Sequence, residues 1–261
     1  MSLPFTCALV TGGGGGIGKA LASYLTSKGV KVLLAGRTES KLKTALQETG
    51  AADYYVFDTG DVATIPAFIA RVTAEHPDLD CLINNAGVQR PLNIMHMPPA
   101  EFLQKADQEI NINIRGPMHL ALGLLDHLRA RPRATIMNVS SALAFLPTSI
   151  INPVYNGTKA WLHFWSMNLR TQIAWAGLGE KIKVVEIAPP SVETDLHRER
   201  EDPDDNKKRN DPNVLSLEEF MQEVSAKLER GEEMIGAGVS TELIDKWYAT
   251  YGQMYTDAVT R

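Results

Sequence analysis

Tyr155 and Lys159 are two residues of this 261-residue chain whose types and spacing suit proton chemistry. Residues four apart on an α-helix lie on one face, so the phenol and the ammonium would point into the same pocket. A free tyrosine titrates near about 10, and lowering that pKa to about 7 requires roughly 4 kcal/mol of preferential phenolate stabilisation. A fixed cation in a partly dry pocket supplies much of this energy. The pair is therefore a candidate proton donor.

A run of glycines at 12–16 separates a predicted strand, 5–11, from a predicted helix that ends near Gly29. Glycines let the backbone approach a pyrophosphate closely, and the free N–H groups and dipole of a helix start favour its negative charge. Because the run lies between a strand and a helix, it predicts a phosphate-binding turn; a flexible loop is the alternative.

Arg37 follows the second predicted strand, 30–35, where a cofactor ribose would lie. An acidic residue at this strand end would hold the ribose 2′-hydroxyl of NAD, whereas an arginine suits the 2′-phosphate of NADP. Gly36 stands in place of the acid. The sequence predicts NADP(H) over NAD(H), and the alternative is that Arg37 is a solvated surface residue.

Short apolar runs alternate with helical patterns along the rest of the chain. This alternation predicts an α/β protein, one domain over 1–261, in which helices cover both faces of a parallel sheet and ligands bind at the carboxyl ends of the strands. The further predicted strands are 54–57, 79–83, 135–139, 183–187 and 233–236, and the helices are 39–49, 61–74, 98–128, 154–176, 216–228 and 241–259. Within 61–74, Pro66 indicates that the first helical turn starts near that residue. We expect an interruption at 111–117, where Asn113 would fill the gap with its amide.

The composition excludes several classes of function. A formal net charge of −5 gives no broad attraction to nucleic acid or anionic membranes. No apolar run approaches the roughly 20 residues of a membrane helix, so we expect a cytoplasmic protein without membrane partners. Cys7 and Cys81 lie in apolar runs and are expected to be small buried hydrophobic residues. The six histidines form no close ligand motif, so no metal is expected.

Six short motifs, in order along nearly the whole chain, resemble the short-chain dehydrogenase/reductase family. They are Thr11-Gly12-x-x-x-Gly16-Ile17-Gly18, Asn84-Asn85-Ala86-Gly87, Asn113-x-x-Gly116, Ser140-Ser141, Tyr155-x-x-x-Lys159 and Pro189-x-x-Val192-x-Thr194. The resemblance implies a doubly wound Rossmann fold with one seven-stranded parallel sheet, and hydride transfer between a nicotinamide cofactor and a small carbonyl compound or alcohol. Segments 139–145 and 188–196 also resemble a subgroup labelled after bacterial teichoic-acid D-alanylation operons.

The resemblance also implies roles for individual residues. The catalytic set would be Asn113, Ser141, Tyr155 and Lys159, with Ser141 donating to the substrate oxygen and Asn113 holding a water that links Lys159 to solvent. The implied cofactor residues are Gly12, Gly16, Ile17, Gly18, Arg37, Asp58, Asn85, Ala86, Gly87, Tyr155, Lys159, Val192 and Thr194. The usual assembly of the family implies a homodimer or homotetramer through two long helices.

Two features leave the substrate open. Ser141 lies fourteen residues before Tyr155, one more than is usual in the family. This predicts either an extra residue in 143–152, which would line the substrate pocket, or a Ser141 that does not take the family's serine role. The charge-rich segment 197–212, within a substrate region at about 195–215, predicts a mobile solvated loop or a lid. A non-catalytic NADP(H)-binding redox sensor or interaction protein stays open as the alternative function. A sugar epimerase or dehydratase shares Tyr-x-x-x-Lys but usually has a longer chain.

Overall fold

Seven parallel strands form one sheet in the computed structural model, which describes residues 3–260. The strands are β1 (Cys7–Thr11), β2 (Lys31–Gly36), β3 (Asp53–Val56), β4 (Cys81–Asn84), β5 (Ala134–Val139), β6 (Ile182–Ala188) and β7 (Met234–Gly236). Their order across the sheet is β3-β2-β1-β4-β5-β6-β7, and every pairing is parallel. The predicted doubly wound Rossmann fold is confirmed.

Helices connect successive strands and cover both faces of the sheet. They are α1 (Gly16–Ser27), α2 (Glu39–Thr49), α3 (Ile65–Glu75), α4 (Pro99–Ile110), α5 (Gly116–Arg129), α6 (Pro153–Trp175), α7 (Leu217–Glu229), α8 (Val239–Trp247) and α9 (Gln253–Val259). π-helical segments at Asn111–Arg115 and Tyr248–Gly252 join α4 to α5 and α8 to α9. Within residues 3–260, no helix is both long enough and apolar enough to cross a membrane.

The core consists of two apolar layers that the sheet separates. Alternate residues of β1 face opposite layers: Ala8 and Val10 pack with α1, α2 and α7, whereas Cys7 and Leu9 pack with α3, α5 and α6. This is the period of two expected of a strand whose faces are both buried. Because the helices seal both faces, an open cavity is left at the carboxyl ends of the strands, where the chain passes from strand to helix.

The predicted boundaries differ from the structure mainly around prolines and interruptions. Helix α3 begins at Ile65 and not at 61, and Pro66 lies in its first turn as expected, because proline is accommodated there but not in a helix interior. The predicted helix 98–128 is α4, a π-helical segment and α5. Cys7 and Cys81 are both buried and unpaired, as predicted.

Candidate active site

A cavity of about 660 Å³ lies at the carboxyl ends of the strands. Thirteen of the fifteen predicted site residues line it: Gly12, Gly16, Ile17, Arg37, Asp58, Asn85, Ala86, Gly87, Ser141, Tyr155, Lys159, Val192 and Thr194. Gly18 and Asn113 lie behind its wall. The structure therefore brings residues of seven separate loops and helix starts to one space.

The glycine turn leads into α1 with its helix start exposed toward the cavity. Gly12 and Gly16 have positive φ angles of 68° and 52°, a region that side chains disfavour. Gly15 precedes α1 and no side chain caps the helix start. Free N–H groups at such a helix start are suited to an anion.

Gly18 is needed for packing rather than for direct contact with a ligand. A Cβ atom at this position would lie 2.4 Å from the carbonyl oxygen of Gly12 and 2.4 Å from Asn85 Nδ2. The Asn85 amide donates to the Thr11 carbonyl at 2.9 Å, which ties the end of β4 to the end of β1. Gly18 therefore allows the glycine turn, α1 and Asn85 to pack closely.

Asn113 joins the segment after β4 to α6 from within the first π-helical segment. It is 1% exposed; its Oδ1 accepts from the Val88 N–H at 3.0 Å, and its Nδ2 donates to the Val88 carbonyl at 2.9 Å. The same Nδ2 also lies 3.1 Å from Thr158 Oγ1. The predicted interruption is present, but the prediction that the amide fills its gap is wrong. A side-chain amide can pair with both the N–H and the C=O of one residue, and Val88 offers both.

Tyr155 and Lys159 lie one helical turn apart on α6, and each is 5% exposed. Lys159 Nζ is 5.5 Å from the Tyr155 ring centroid and donates to the Val139 carbonyl at 2.7 Å. Burial lowers the pKa of Lys159 to about 8, while Glu109 and Glu186 raise it. The predicted convergence of the pair in one pocket is present in the structure.

The pKa of Tyr155 shifts in the direction opposite to the prediction. Burial and then the Glu109 carboxylate raise the pKa of the phenol above its ordinary value of 10, although Ser141 and Arg200 lower it. Desolvation of a phenolate outweighs these favourable contacts. The predicted lowering is therefore wrong for the residues of the chain acting alone.

Ser141 reaches Tyr155 despite the longer spacing between them. Its hydroxyl lies near enough to the phenol to lower the Tyr155 pKa, and it accepts from the Leu143 N–H at 3.1 Å. The single 3₁₀ turn Ala142–Ala144 follows directly. Ser140, in contrast, faces the interior and donates to Glu186 at 2.5 Å.

The end of the cavity beside β2 carries positive charge. Arg37 and Lys41 both line it, and Arg37 is exposed. Lys41 lies 3.8 Å from Asp195 and is largely solvated. The sequence predicts Arg37 at this end of the cavity but not Lys41, although Lys41 lies in the first turn of α2, four residues after Arg37.

The charge-rich segment 197–212 packs against the cavity. Asn206 is 2% exposed, and its Nδ2 donates to the carbonyls of Val192 and Thr194, at 3.1 Å each. Arg200 Nη2 donates to Gln89 Oε1 at 2.9 Å and Asn152 Oδ1 at 2.7 Å. The segment is thus bonded to the strand ends and not only solvated, while its mobility stays a prediction.

Two buried carboxyl groups near the site were missed. Glu109 on α4 and Glu186 on β6 are both 0% exposed. Each lies at a position where the local pattern predicts an apolar residue. Glu186 lies within the buried residues of β6, and Glu109 lies on the same helix face as Ala106. An acid at an inward-facing position was the signal that could have found them.

Comparison with known proteins places the chain in a family. Residues 6–205 match the family described as short chain dehydrogenase, and the chain belongs to that family of oxidoreductases. The predicted family is thereby confirmed. The chain is 32% identical over 261 residues to the "Uncharacterized oxidoreductase DltE" of Bacillus subtilis strain 168, covering 100% of this chain and 99% of the relative.

Two solved structures show the same fold. A short-chain dehydrogenase from Sphingobium yanoikuyae in complex with NADPH has a TM-score of 0.78 at 22% identity, with 96% of this chain and 95% of that chain covered. A 3-ketoacyl-(acyl-carrier-protein) reductase from Brucella melitensis complexed with NADH has a TM-score of 0.75 at 23% identity, with 88% and 96% covered. Both similarities concern the architecture of the sheet and its helices.

Proposed function

We propose that the protein is an NADPH-dependent oxidoreductase that transfers hydride between nicotinamide and a carbonyl compound or secondary alcohol. The observation that carries this proposal is the convergence of Ser141, Tyr155 and Lys159 on the cavity that the glycine turn and the uncapped start of α1 also line. One side of the space suits a pyrophosphate, and the other offers a proton donor.

The residues fit a dinucleotide along the length of the cavity. The glycine turn and the N–H of Ile17 would hold the pyrophosphate, Asp58 and 85–87 the adenosine, and Val192 and Thr194 the nicotinamide carboxamide. A Cβ atom on Gly16 would lie 3.3 Å from Thr194 Cγ2, so a larger residue would narrow the cavity here. When bound, the nicotinamide supplies or accepts the hydride.

Residues of the chain are proposed to donate and accept the proton of the reaction. Ser141 is proposed to hold the substrate oxygen by a hydrogen bond, and the Tyr155 hydroxyl donates its proton to that oxygen during reduction. Lys159 is proposed to hold positive charge beside the phenolate that results, with Asn113 fixing the neighbouring segment at Val88. In the oxidation direction the same phenol would accept the proton.

NADP(H) is proposed over NAD(H) because of the charge at the end of β2. Arg37 and Lys41 would face a 2′-phosphate, and Gly36 offers no carboxylate to a 2′-hydroxyl. Arginine binds phosphate oxygens through charge-assisted hydrogen bonds, which are stronger than those between neutral groups.

A panel of ketones, aldehydes and quinones tests the proposed activity. Purified protein with NADPH should oxidise the cofactor with at least one compound, measured by loss of NADPH absorbance. Binding of NADPH without oxidation across the panel would favour the non-catalytic redox sensor or interaction protein instead. Parallel calorimetric titrations of NADPH and NADH separate a failure of catalysis from a failure of cofactor binding.

We further propose a homodimer or homotetramer formed through α5 and α6. Leu122 on α5 and Phe164 on α6 are 53% and 50% exposed, and Trp161 stacks on Trp165 with ring centroids 5.3 Å apart. Exposed apolar surface on neighbouring helices suits a subunit interface. Light scattering at working concentration should give at least twice the chain mass. The cytoplasm is the proposed compartment, which fractionation of the cells would test.

A further inference from the structure

Gln89 is a buried side chain of the cavity wall with one end of its amide uncommitted. It is 4% exposed and lines the cavity after the end of β4. Arg200 Nη2 donates to Gln89 Oε1 at 2.9 Å. Because a guanidinium carries only donors, the end of the amide that it contacts is the oxygen. In the part of the chain that the structure describes, Gln89 Nε2 has no hydrogen-bond partner, so a molecule in the cavity is left to accept from it.

His197 supplies the complementary group from the segment 197–212. Its ring lines the cavity, and its Nδ1 is hydrogen-bonded to Asp205. Burial lowers the pKa of His197 below its ordinary value, although the Asp205 hydrogen bond raises it, so the ring is neutral at pH 7. A carboxylate only accepts, so the proton lies on Nδ1 and Nε2 is an acceptor. Among residues 3–260, His197 Nε2 has no hydrogen-bond partner.

Arg200 and Asp205 hold these two side chains in fixed orientations. Arg200 Nη1 donates to Asp205 Oδ2 at 2.6 Å, so the hydrogen-bonded chain runs from Gln89 through Arg200 and Asp205 to His197. Burial raises the pKa of Asp205, but the hydrogen bonds from Arg200 and His197 outweigh it and keep the carboxyl ionised. The charges of Arg200 and Asp205 therefore balance. The wall presents one neutral donor and one neutral acceptor to the cavity.

This wall adjoins the helix turn that carries Tyr155. Arg200 Nη2 also donates to Asn152 Oδ1 at 2.7 Å, and Asn152 immediately precedes α6. The Asn156 N–H donates to the Asn152 carbonyl at 3.1 Å, which makes the first turn of the helix regular. Tyr155 is three residues after Asn152 and lies on the same side of that turn. The guanidinium is thus bonded to the helix start about one turn from the phenol.

We propose that Gln89 and His197 form a subsite for a hydroxyl group of the substrate, so that the compounds reduced are hydroxy ketones or hydroxy aldehydes. A hydroxyl both accepts and donates, which matches a fixed donor beside a fixed acceptor. A methyl group would leave both protein groups unpaired, and a carboxylate would find an acceptor without a balancing charge. Leu143 and Leu146 also line the cavity and suit a short hydrocarbon part. This inference rests on the proposed function and names its substrate class.

Paired substrates test the subsite. Each hydroxy ketone is compared with the ketone in which a methyl group replaces the hydroxyl: hydroxyacetone with butanone, and the longer pairs in which the hydroxyl lies one or two carbons further from the carbonyl. In wild type with NADPH, kcat/KM should be about 10-fold to 100-fold higher for the hydroxy member of at least one pair. The ratio within a pair cancels effects that are common to both compounds.

Two variants remove only the group that faces the cavity. Gln89→Glu keeps an oxygen for Arg200 and deletes the N–H donor. His197→Asn keeps an N–H that can reach Asp205 and deletes the Nε2 acceptor. Each should lower the ratio of kcat/KM within the preferred pair by about 10-fold. A purely structural role would slow both members of the pair alike and leave the ratio unchanged.

Gln104→Glu and His96→Asn are the matched controls, since both residues are exposed and lie outside the cavity lining. They should keep the wild-type ratio. Turnover with a ratio near one for every pair, or a ratio unchanged in both subsite variants, would overturn the inference and leave the proposed function standing. Preference for pyruvate, the carboxylate counterpart of hydroxyacetone, would also overturn it, because the wall would then bind an anion.

Calorimetric titration of each pair into protein saturated with NADP+ tests the subsite without turnover. Wild type should bind the hydroxy member of one pair at least about 10-fold more tightly than the methyl member, and Gln89→Glu should reduce this difference. Such selective binding in a protein that turns over none of the compounds would overturn the proposed function alone. Equal binding of both members of every pair would overturn the inference.

Discussion

Lys159 Nζ lies 5.5 Å from the centre of the Tyr155 ring while its hydrogen bond goes to the Val139 carbonyl, at 2.7 Å. The cation is therefore fixed beside the phenol by the end of β5 and not by the phenol itself. Burial has opposite effects on the two groups, raising the pKa of Tyr155 and lowering the pKa of Lys159 to about 8. Burial thus favours the neutral form of each group, although Lys159 stays cationic below about pH 8.

Tyr155→Phe should remove turnover while leaving NADPH binding within about twofold of wild type. The substitution deletes one hydroxyl from a buried ring and leaves the glycine turn and Lys159 in place. Loss of a general acid typically costs 10²-fold to 10⁴-fold in rate. Steady-state kinetics measures the loss of turnover, and a fluorescence titration measures the affinity for NADPH. Retained turnover would contradict the role given to Tyr155.

Lys159→Met should lower kcat/KM by about 10²-fold and flatten its dependence on pH. With a pKa of about 8, Lys159 is cationic below that pH and neutral above it, so wild-type reduction should weaken as the pH rises through 8. Methionine fills a similar volume without the charge. Lys105→Met, at an exposed pair on α4, is the control. A variant profile parallel to that of wild type would show that Lys159 does not set the alkaline limit.

The strands along the chain and the site at their ends could be predicted because the sequence encodes them locally. Apolar runs such as β1 and β2 are bounded by glycines, and the alternation with helices restricts the sheet to few arrangements. Parallel strands place their carboxyl ends together, so Gly12, Asn85 and Ser141 had to meet once the strands were identified.

The contacts that tune the site could not be predicted, because they depend on tertiary burial. Periodicity does not show that Asn113 pairs with Val88 or that the carboxyl of Glu109 lies without a partner. The sign of the Tyr155 pKa shift follows from how dry its surroundings are, which spacing alone does not report. Likewise, nothing in the local sequence of 197–212 distinguishes the buried Asn206 from the exposed Asn210.

Arg37→Ala should weaken NADPH binding by about 10-fold to 100-fold and change NADH binding by less than about twofold. A hydrogen bond to a charged group contributes roughly 1.5–3 kcal/mol, and only NADPH carries the 2′-phosphate. Lys43→Ala is the matched control, since Lys43 is exposed on α2 and pairs with Glu39 at 2.9 Å. Calorimetric titration of both cofactors measures the four affinities. Equal weakening of NADH and NADPH, or tighter NADH binding in wild type, would count against NADP selectivity.

Asn206→Ala should release the segment 197–212 from the strand ends. The change removes two hydrogen bonds to the carbonyls of Val192 and Thr194 and leaves both acceptors near a small cavity, a loss of roughly 1–3 kcal/mol. Lysines and arginines are frequent in this segment, so trypsin can report its opening. Tryptic cleavage in this segment should be about 5-fold to 100-fold faster in the variant than in wild type. Asn210→Ala, exposed in the same segment, should be cleaved at the wild-type rate; equal rates for the two variants would refute the anchoring role.

Glu109→Gln should change how the free energy of unfolding depends on pH. An unfolded glutamate titrates near about 4.3, whereas the folded group titrates near 8, so the folded state binds this proton more tightly. The stabilising effect of the bound proton is therefore complete at low pH and is lost as the pH rises from about 4.3 to 8, by a few kcal/mol in total. At pH 5 the glutamine variant should be less stable than wild type by about 1–3 kcal/mol, because its amide N–H groups find no acceptor.

That deficit should shrink or reverse by pH 7.5, since glutamine has no ionisation to penalise the folded state. Urea unfolding of both proteins at several pH values between 5 and 7.5 measures the difference directly. Glu101→Gln should differ from wild type by a constant amount across this range, because that carboxyl is partly solvated and paired with Lys105. Parallel curves for wild type and Glu109→Gln would mean that the buried carboxyl does not hold its proton near neutral pH.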